Sequence, residues 1–341
     1  MKPSSTPAPQ GELAILQSLR QRARRHNSSG LSLGIGDDCA LLRLRSGEEA
    51  AVTTDLSIEG RHFRLEWHAP EAVGHRTLAR GLSDLAAMGA RPVAAFLSLG
   101  LPPHLTEKKR GVAWVDRFLE GFLTLADRHK TPLAGGDLAE SPLAMADIVL
   151  VGAVSLRRAM LRSSARPGDV LYVTGCLGRS AAGLHTLSAQ KIEAATPKKW
   201  PAPLASTSSQ RSLLAAHLYP EPRIPQGLRL SRLASAALDI SDGLATDLRH
   251  LCEESDVAAE VNADALPLGP GATLHDALYG GEDYELLFTA AEDARVPRSI
   301  QGVPITAIGR ILRSHAKRPQ VALVTPEGKQ PLSGKGWEHF A

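Results

Sequence analysis

Six aspartates stand where a carboxylate is costly. Asp38 precedes the apolar run Cys39-Ala40-Leu41-Leu42, and Asp55 closes Ala51-Val52-Thr53-Thr54. Asp84 interrupts Leu82-Ser83-Asp84-Leu85-Ala86-Ala87, and Asp137 follows Gly135-Gly136. Asp239 and Asp242 flank Ile240-Ser241 just ahead of Gly243. A buried carboxylate is expensive unless it is paired or bound to a metal, and almost no lysine or arginine shares these short segments. Hard oxygen ligands at strand ends, with small neighbours, are what Mg²⁺ takes when it also holds substrate phosphates. Singly, most have a structural reading: Asp38 caps a turn, Asp55 ends a strand, Asp242 is placed as a helix N-cap, and Gly135-Gly136-Asp137 is an ordinary turn. Asp84 resists that treatment, because a charge inside an apolar helical face needs a partner. Together the six point to a polymetal phosphate site.

Other groups have two readings each. Arg162 can clamp a phosphate bidentately or sit solvated in a loop. Gly175-Cys176-Leu177-Gly178-Arg179-Ser180 can cradle a phosphate between strand and helix or make a tight connection. Glu282 and Asp283, after Gly280-Gly281, face a ligand or serve as turn acids. His62, in Glu59-Gly60-Arg61-His62-Phe63, carries little weight alone.

The elements that must position these groups follow from hydrophobic period and turn residues. A first amphipathic helix carries Leu13, Leu16 and Leu19 with a basic face at Arg20 to Arg25. Ala51 to Thr54 reads as a short strand. Glu71 to Met88 reads as a helix with Leu78, Leu82 and Leu85 on one face, stopped by Gly89 and Pro92. Val93 to Gly100 is β-like, Val112 to Ala126 helical, and Leu133-Ala134 and Ile148 to Val154 strand-like. In the second half, Val170 to Val173 reads as a strand, Gly178 to Leu187 as a helix and Asp242 to Ser255 as a helix. Glu285 to Thr289, Ile305 to Ile311 and Val321 to Val324 read as strands. Residues 189–210 are rich in Pro, Ser, Thr and Lys and read as a flexible surface insertion. Strands and helices mix without a repeat, so the expected fold class is mixed α/β (α+β). Two domains are expected, 1–156 and 157–341. Neither a dinucleotide-binding GxGxxG after a strand nor a GxxxxGK[ST] loop is present.

The 341 residues suit two domains at about 150 residues each. With 43% hydrophobic residues, each half can bury a core. A formal net charge of +3, from 39 basic and 36 acidic residues, gives no footprint for nucleic acid. Cys39, Cys176 and Cys252 lie far apart, against a disulfide framework or zinc site and for a reducing compartment. The longest apolar runs fall well short of the ~20 residues of a membrane span, and the Pro/Ser-rich start has no apolar signal core. The expectation is a cytoplasmic protein with no membrane and no nucleic-acid partner.

The segments GIGDDCALL (34–42), TTDLSIEGRHF (53–63), LSDLAAMGARP (82–92), GGDLAESP (135–142), RPGDVLYVTGCLGRSAAGL (166–184), LDISDGLATDL (238–248), GGEDYELLFT (280–289) and GWEHF (336–340) occur in this order. As a set they resemble the thiamine-monophosphate kinase family, within the superfamily of aminoimidazole-ribonucleotide synthetase, selenophosphate synthetase and HypE. The resemblance implies an ATP-dependent kinase of thiamine monophosphate with two α/β domains, the first contributing its sheet to a homodimer and ATP lying in a cleft near that interface. It implies several Mg²⁺ ions held by Asp38, Thr53, Thr54, Asp55, Asp84, Asp137, Asp239 and Asp242, with Asp38, Asp55, Asp84 and Asp239 carrying catalysis. ATP would meet Gly136, Asp137, Arg162 and Ser241, and thiamine phosphate would meet His62, Glu282 and Trp337. Leu138-Ala139-Glu140 stands where the family commonly has a Thr-Thr-Arg-like run. The rival readings are another ATP-dependent synthetase of the superfamily and a non-catalytic thiamine-phosphate or nucleotide-binding protein. A selenophosphate enzyme would carry a reactive Cys or Sec in a Gly-rich N-terminal loop, and no such segment precedes Gly34.

Overall fold

The structure is a computed structural model describing residues 19, 21–22, 30–35, 39–107, 113–189, 208–315 and 320–332. Asp38, Trp337, most of the expected first helix and most of the 189–210 segment lie outside the described residues.

The first half is a four-stranded sheet with two helices on one face. Its strands are β3 (Glu48–Ile58), β4 (Arg91–Leu101), β5 (Leu133–Glu140) and β6 (Met145–Ser155), in the order β3-β6-β4-β5. A short hairpin of β1 (Leu31–Leu33) and β2 (Leu41–Leu42) precedes it. Helices α1 (Pro70–Ala87) and α2 (Trp114–Arg128) complete the layer. They cross at a contact only glycine permits: a Cβ on Gly74 would meet the Phe118 carbonyl oxygen at 1.9 Å, and one on Gly121 the Glu71 carbonyl oxygen at 1.9 Å. Arg117 closes the crossing by pairing with Glu71 at 2.5 and 2.8 Å.

The second half is built on a larger, mainly antiparallel sheet. It runs β14 (Gly328–Pro331), β13 (Val321–Thr325), β9 (Val257–Asn262), β12 (Val303–Arg313), β7 (Val170–Thr174), β10 (Leu286–Ala290) and β8 (Ala236–Asp239), with β11 (Ser299–Ile300) paired to β12. Helices α3 (Arg179–Ala189), α4 (Ser208–Leu218), α5 (Ile224–Leu230), α6 (Leu244–Glu254) and α7 (Leu274–Tyr279) surround it. The fold is mixed α/β, as the sequence patterns indicated. One hydrophobic core crosses both halves, joining Leu82, Leu85 and Phe122 to Ile224, Leu230, Leu286 and Phe288. Helix α1 lies at its centre, packed on β3, β6 and α2 and also on α5 and β8.

Three local expectations are corrected. Strand β3 runs from Glu48 to Ile58, so Asp55 sits inside the strand rather than at its end. Gly135-Gly136-Asp137 is strand, not turn. Gly136, at φ +149°, lies so close to β4 that a Cβ would fall 1.8 Å from the Leu97 carbonyl oxygen, so the glycine serves a close backbone approach. Helix α6 begins at Leu244 with Gly243 as its N-cap, so Asp242 is not the cap.

Candidate active site

Period-2 alternation along β3 turns Thr53, Asp55 and Ser57 toward α1 and leaves Val52, Thr54 and Leu56 on the other face. Across from them, α1 presents Arg76, Arg80 and Asp84 at i, i+4 and i+8, one stripe of the helix. The two rows interlock. Thr53 Oγ1 donates to Asp84 Oδ2 at 2.5 Å. Arg80 Nη2 lies 2.6 Å from Asp55 Oδ1, and its Nη1 lies 3.3 Å from Ser57 Oγ. The Thr54 hydroxyl is not among the groups gathered here.

The second half enters through β8. Asp239, buried at the end of that strand, accepts from Ser83 Oγ at 2.6 Å, next to Asp84 on the helix. Burial raises the Asp84 carboxyl, partly offset by the Thr53 hydrogen bond and the charges of Arg162 and Arg80. Burial and then the charge of Asp84 push Asp239 up to about 7, against the pull of Ser83 and Arg162. Burial likewise raises Asp55 to about 6, despite Arg80. Among the described residues neither Asp84 nor Asp239 has a cation at ion-pair distance. Two carboxylates from opposite halves thus lie near enough for the charge of Asp84 to raise Asp239, each held by one hydroxyl and neither by a close cation.

The turn after β8 is tied into the same region. Ser241 and Asp242 donate their backbone N–H groups to Asp247 Oδ2, each at 3.1 Å. The Ser241 carbonyl accepts from the Glu282 N–H at 2.7 Å, and the Ile240 carbonyl from the Tyr284 N–H at 2.9 Å. Glu282 and Tyr284 have φ of +55° and +52°, a region that side chains adopt only when their surroundings hold them there.

Glu282, its side chain 29% exposed, borders a cluster of buried polar groups. Arg76 Nη2 lies 2.6 Å from Glu282 Oε1. Burial alone would raise the Glu282 carboxyl, but the charge of Arg76, with that of Arg80, overcomes it and holds it at about 2. The Ile58 N–H donates to His62 Nδ1 at 3.0 Å, which puts the ring proton of neutral His62 on Nε2. His62, Arg76 and Arg80 line one small cavity together with Ser57, Phe63 and Thr77.

Asp137 and Gly136 stand elsewhere on the first sheet. Cross-strand register places Asp55, Ile148, Leu97 and Gly136 in one row, which separates β3 from β5 by roughly 14 Å at three strand spacings. Gly136 and Asp137 border a cavity of about 440 Å³ walled by Phe96, Leu97, Leu133 and Leu138. Of the residues singled out in the sequence, the structure brings Thr53, Asp55, Asp84, Asp239 and the charge of Arg162 together. It sets His62 and Glu282 around Arg76, joins Ser241 and Asp242 through the β8 turn, and leaves Gly136 and Asp137 at the far edge of the sheet. Arg76, Arg80, Ser83, His217 and Asp247 were not singled out. The i, i+4, i+8 spacing of Arg76, Arg80 and Asp84 was the available signal for the two arginines.

Among the described residues no three His, Cys, Asp or Glu side chains converge to hold an ion unaided. The donor set nevertheless suits Mg²⁺. It consists of hard carboxylate and hydroxyl oxygens in buried, under-compensated positions, and Mg²⁺ keeps waters and substrate phosphates in its shell instead of demanding a full protein cage.

Residues 36–155 match the family described as AIR synthase related protein, N-terminal domain, and residues 166–321 match its C-terminal domain. Among curated proteins, the thiamine-monophosphate kinase of Escherichia coli (strain K12) is 37% identical over 343 residues, covering 97% of this chain and 98% of that protein. The crystal structure of thiamine-monophosphate kinase from Stenotrophomonas maltophilia K279a superposes with a TM-score of 0.76 at 37% identity, covering 92% of this chain and 96% of that one. A structure described as AaThiL complexed with AMPPCP and TMP gives a TM-score of 0.73 at 31% identity, covering 97% of each chain. The uncompensated carboxylate pair between two α/β halves is thus set in a chain that belongs to the thiamine-monophosphate kinase family of AIR synthase related proteins.

Proposed function

We propose that this chain transfers the γ-phosphate of ATP to the phosphate of thiamine monophosphate, giving thiamine diphosphate and ADP. The observation that carries this reading is the pair Asp84, half-buried, and Asp239, buried, from opposite halves and without an ion-pair partner among the described residues, beside the cationic stripe of Arg76 and Arg80. Its wider support is near-full-length similarity to proteins named for that activity and to a structure holding AMPPCP and TMP.

Asp84, Asp239, Asp55 and the Thr53 hydroxyl would hold Mg²⁺, with Asp38 and Asp242 adding ligands for further ions; Thr54, on the other face of β3, and Asp137, across the sheet on β5, stand apart from this group. Bound there, Mg²⁺ would neutralise the charge of the phosphates. The chain's own residues do the rest. The acceptor is a phosphate monoester with a second pKa of about 6, so its attacking oxygen is largely deprotonated near neutral pH and no general base is required. Catalysis reduces to aligning two anions for in-line transfer. Arg80 and the His62 Nε2–H would supply positive charge and a donor on the acceptor side. Glu282 would meet the cationic body of the thiamine, and Trp337 is proposed as its aromatic neighbour. Gly136 and Asp137 border an apolar cavity suited to the nucleotide's base, and Arg162 and Ser241 would contact its phosphates.

The first half (1–156) is proposed to carry nucleotide and metal binding and dimerisation, and the second (157–341) to complete the acceptor site. Homodimer assembly and a cytoplasmic setting belong to the same proposal. The test is thiamine diphosphate formed by purified protein from ATP and thiamine monophosphate, with and without Mg²⁺. Metal-dependent product with equimolar ADP supports the kinase; binding of both ligands without turnover supports a binding protein instead. Absence of binding points to another substrate of the superfamily.

A further inference from the structure

The guanidinium of Arg76 is buried, with 4% of the residue exposed, and it joins three separate chain segments. Nη2 pairs with Glu282 Oε1 at 2.6 Å and approaches the His62 carbonyl at 3.5 Å. Nη1 donates to the His217 carbonyl at the end of α4. One side chain of the first half thus ties the loop after β3 to two segments of the second half.

The groups around it are arranged to leave that guanidinium its carbonyl and carboxylate partners. The Arg64 N–H donates to His68 Nδ1 at 3.2 Å, and the Arg64 carbonyl lies 3.1 Å from the same nitrogen. His68 Nε2 and His217 Nε2 are 3.4 Å apart, and His217 Nδ1 lies 3.0 Å from Ser180 Oγ and 3.4 Å from Arg76 Nη1. Both rings are thus enclosed by hydrogen-bonding groups, and Arg76 stands as the cation facing Glu282. Burial, with the charge of Arg76, keeps both histidines well below their ordinary range, His68 at about 3. Glu282 itself stands at φ +55°, a backbone conformation that requires external holding.

We infer that Arg76 is a positioning residue for the acceptor: it fixes the Glu282 carboxylate and the His62 loop in one geometry, and so sets affinity for thiamine monophosphate while leaving ATP binding alone. The inference rests on the kinase reading above. A merely structural ion pair would change stability and leave the acceptor's KM where it was.

The experiment compares wild type with Arg76→Met, Arg76→Lys, Glu282→Gln and the Arg76→Met/Glu282→Gln double variant. The readouts are KM for each substrate, kcat, thermal midpoint, and the Kd of thiamine monophosphate measured without ATP. Expected are a rise of about tenfold or more in acceptor KM and Kd for Arg76→Met, with KM for ATP within twofold and partial recovery in Arg76→Lys. The double variant should be no worse than the poorer single one, because the residues act as a unit. Acceptor KM within twofold of wild type in Arg76→Met, or independent losses in the double variant, would overturn the inference. If Arg76→Met does not fold, Arg76→Lys and Glu282→Gln decide, and an unchanged acceptor KM in both overturns it. Wild-type protein that forms no thiamine diphosphate overturns the kinase reading itself, an outcome distinct from an active wild type with an indifferent Arg76.

Discussion

Asp84 and Asp239 each accept one hydroxyl hydrogen bond, from Thr53 and Ser83, and each has its carboxyl raised, chiefly by burial. A group kept under such a penalty is a functional candidate on physical grounds. Asp84→Asn removes the charge and keeps an acceptor for Thr53. It is therefore expected to match or exceed the wild-type thermal midpoint while losing at least about 100-fold in turnover, the scale of removing one electrostatic element from a preorganised site. Near-normal turnover would remove Asp84 from the site. A second residue-scale prediction concerns His75, whose Nε2 donates to the Pro220 carbonyl at 2.8 Å and whose ring meets Tyr219 edge-on. Burial pushes this imidazole down to about 4. Its folded pKa lies below its unfolded value near 6.5, so its contribution is complete above that pH and is lost as pH falls toward 4. His68 and His217 act in the same sense, whereas Asp239 and Asp283, raised by burial to about 7, act in the opposite one. The difference between variants isolates one ring. His75→Gln should remove a loss of roughly 1 kcal/mol per pH unit between pH 6 and 5, read from denaturant midpoints. A constant gap to wild type across that range would show that the ring does not titrate differently on folding. The acids were legible in the sequence because a carboxylate among apolar and glycine neighbours violates local pattern. The cations were not: Arg76 and Arg80 look like ordinary polar positions until β3 and Glu282 are folded against them.

At the scale of elements, helix periodicity placed α1 and α2 within a residue or two of their ends, and the apolar runs found most of the strands. What failed was anything decided by a neighbour's backbone. Gly135-Gly136-Asp137 reads as a turn from composition, yet β4 draws it into the sheet through the space a missing Cβ leaves. Asp242 has the residue type and position of an N-cap, but Gly243, at φ +108°, takes that place. Asp247, three residues into the helix, collects the two preceding N–H groups instead. Glycines within helices are the sharper case. Gly74 and Gly121 look like weaknesses in α1 and α2 by propensity, and each is where the other helix's backbone passes. Gly121→Ala should improve local helix propensity and still destabilise the protein by about 1–3 kcal/mol, the usual cost of overpacking. Chemical denaturation measures it, and a stabilised variant would mean that the crossing relaxes without cost.

The whole molecule keeps its two halves on one continuous core, with α1 serving as wall to both. The acid pair, the Arg76–Glu282 pair and the His75–Pro220 contact all cross that seam, so the site exists only while the halves are docked. One face remains unaccounted for. Strand β3 forms an edge of the first sheet, and on the side away from α1 it exposes Val52 at 60% and Leu56 at 44%. An eleven-residue edge strand with apolar side chains is a pairing hazard unless something covers it. The proposed homodimer supplies that cover through a second copy of the same face, provided that the contact reaches the roughly 1,200–2,000 Å² of a stable interface. Val52→Asp places a charge in the middle of that row without touching Thr53 or Asp55, whose side chains point the other way. Wild type is expected to elute and scatter light as a dimer at micromolar concentration, and Val52→Asp as a folded monomer. A wild-type monomer would remove the dimer from the proposal. A variant that stays dimeric would move the interface off β3 and leave its apolar edge to a different partner.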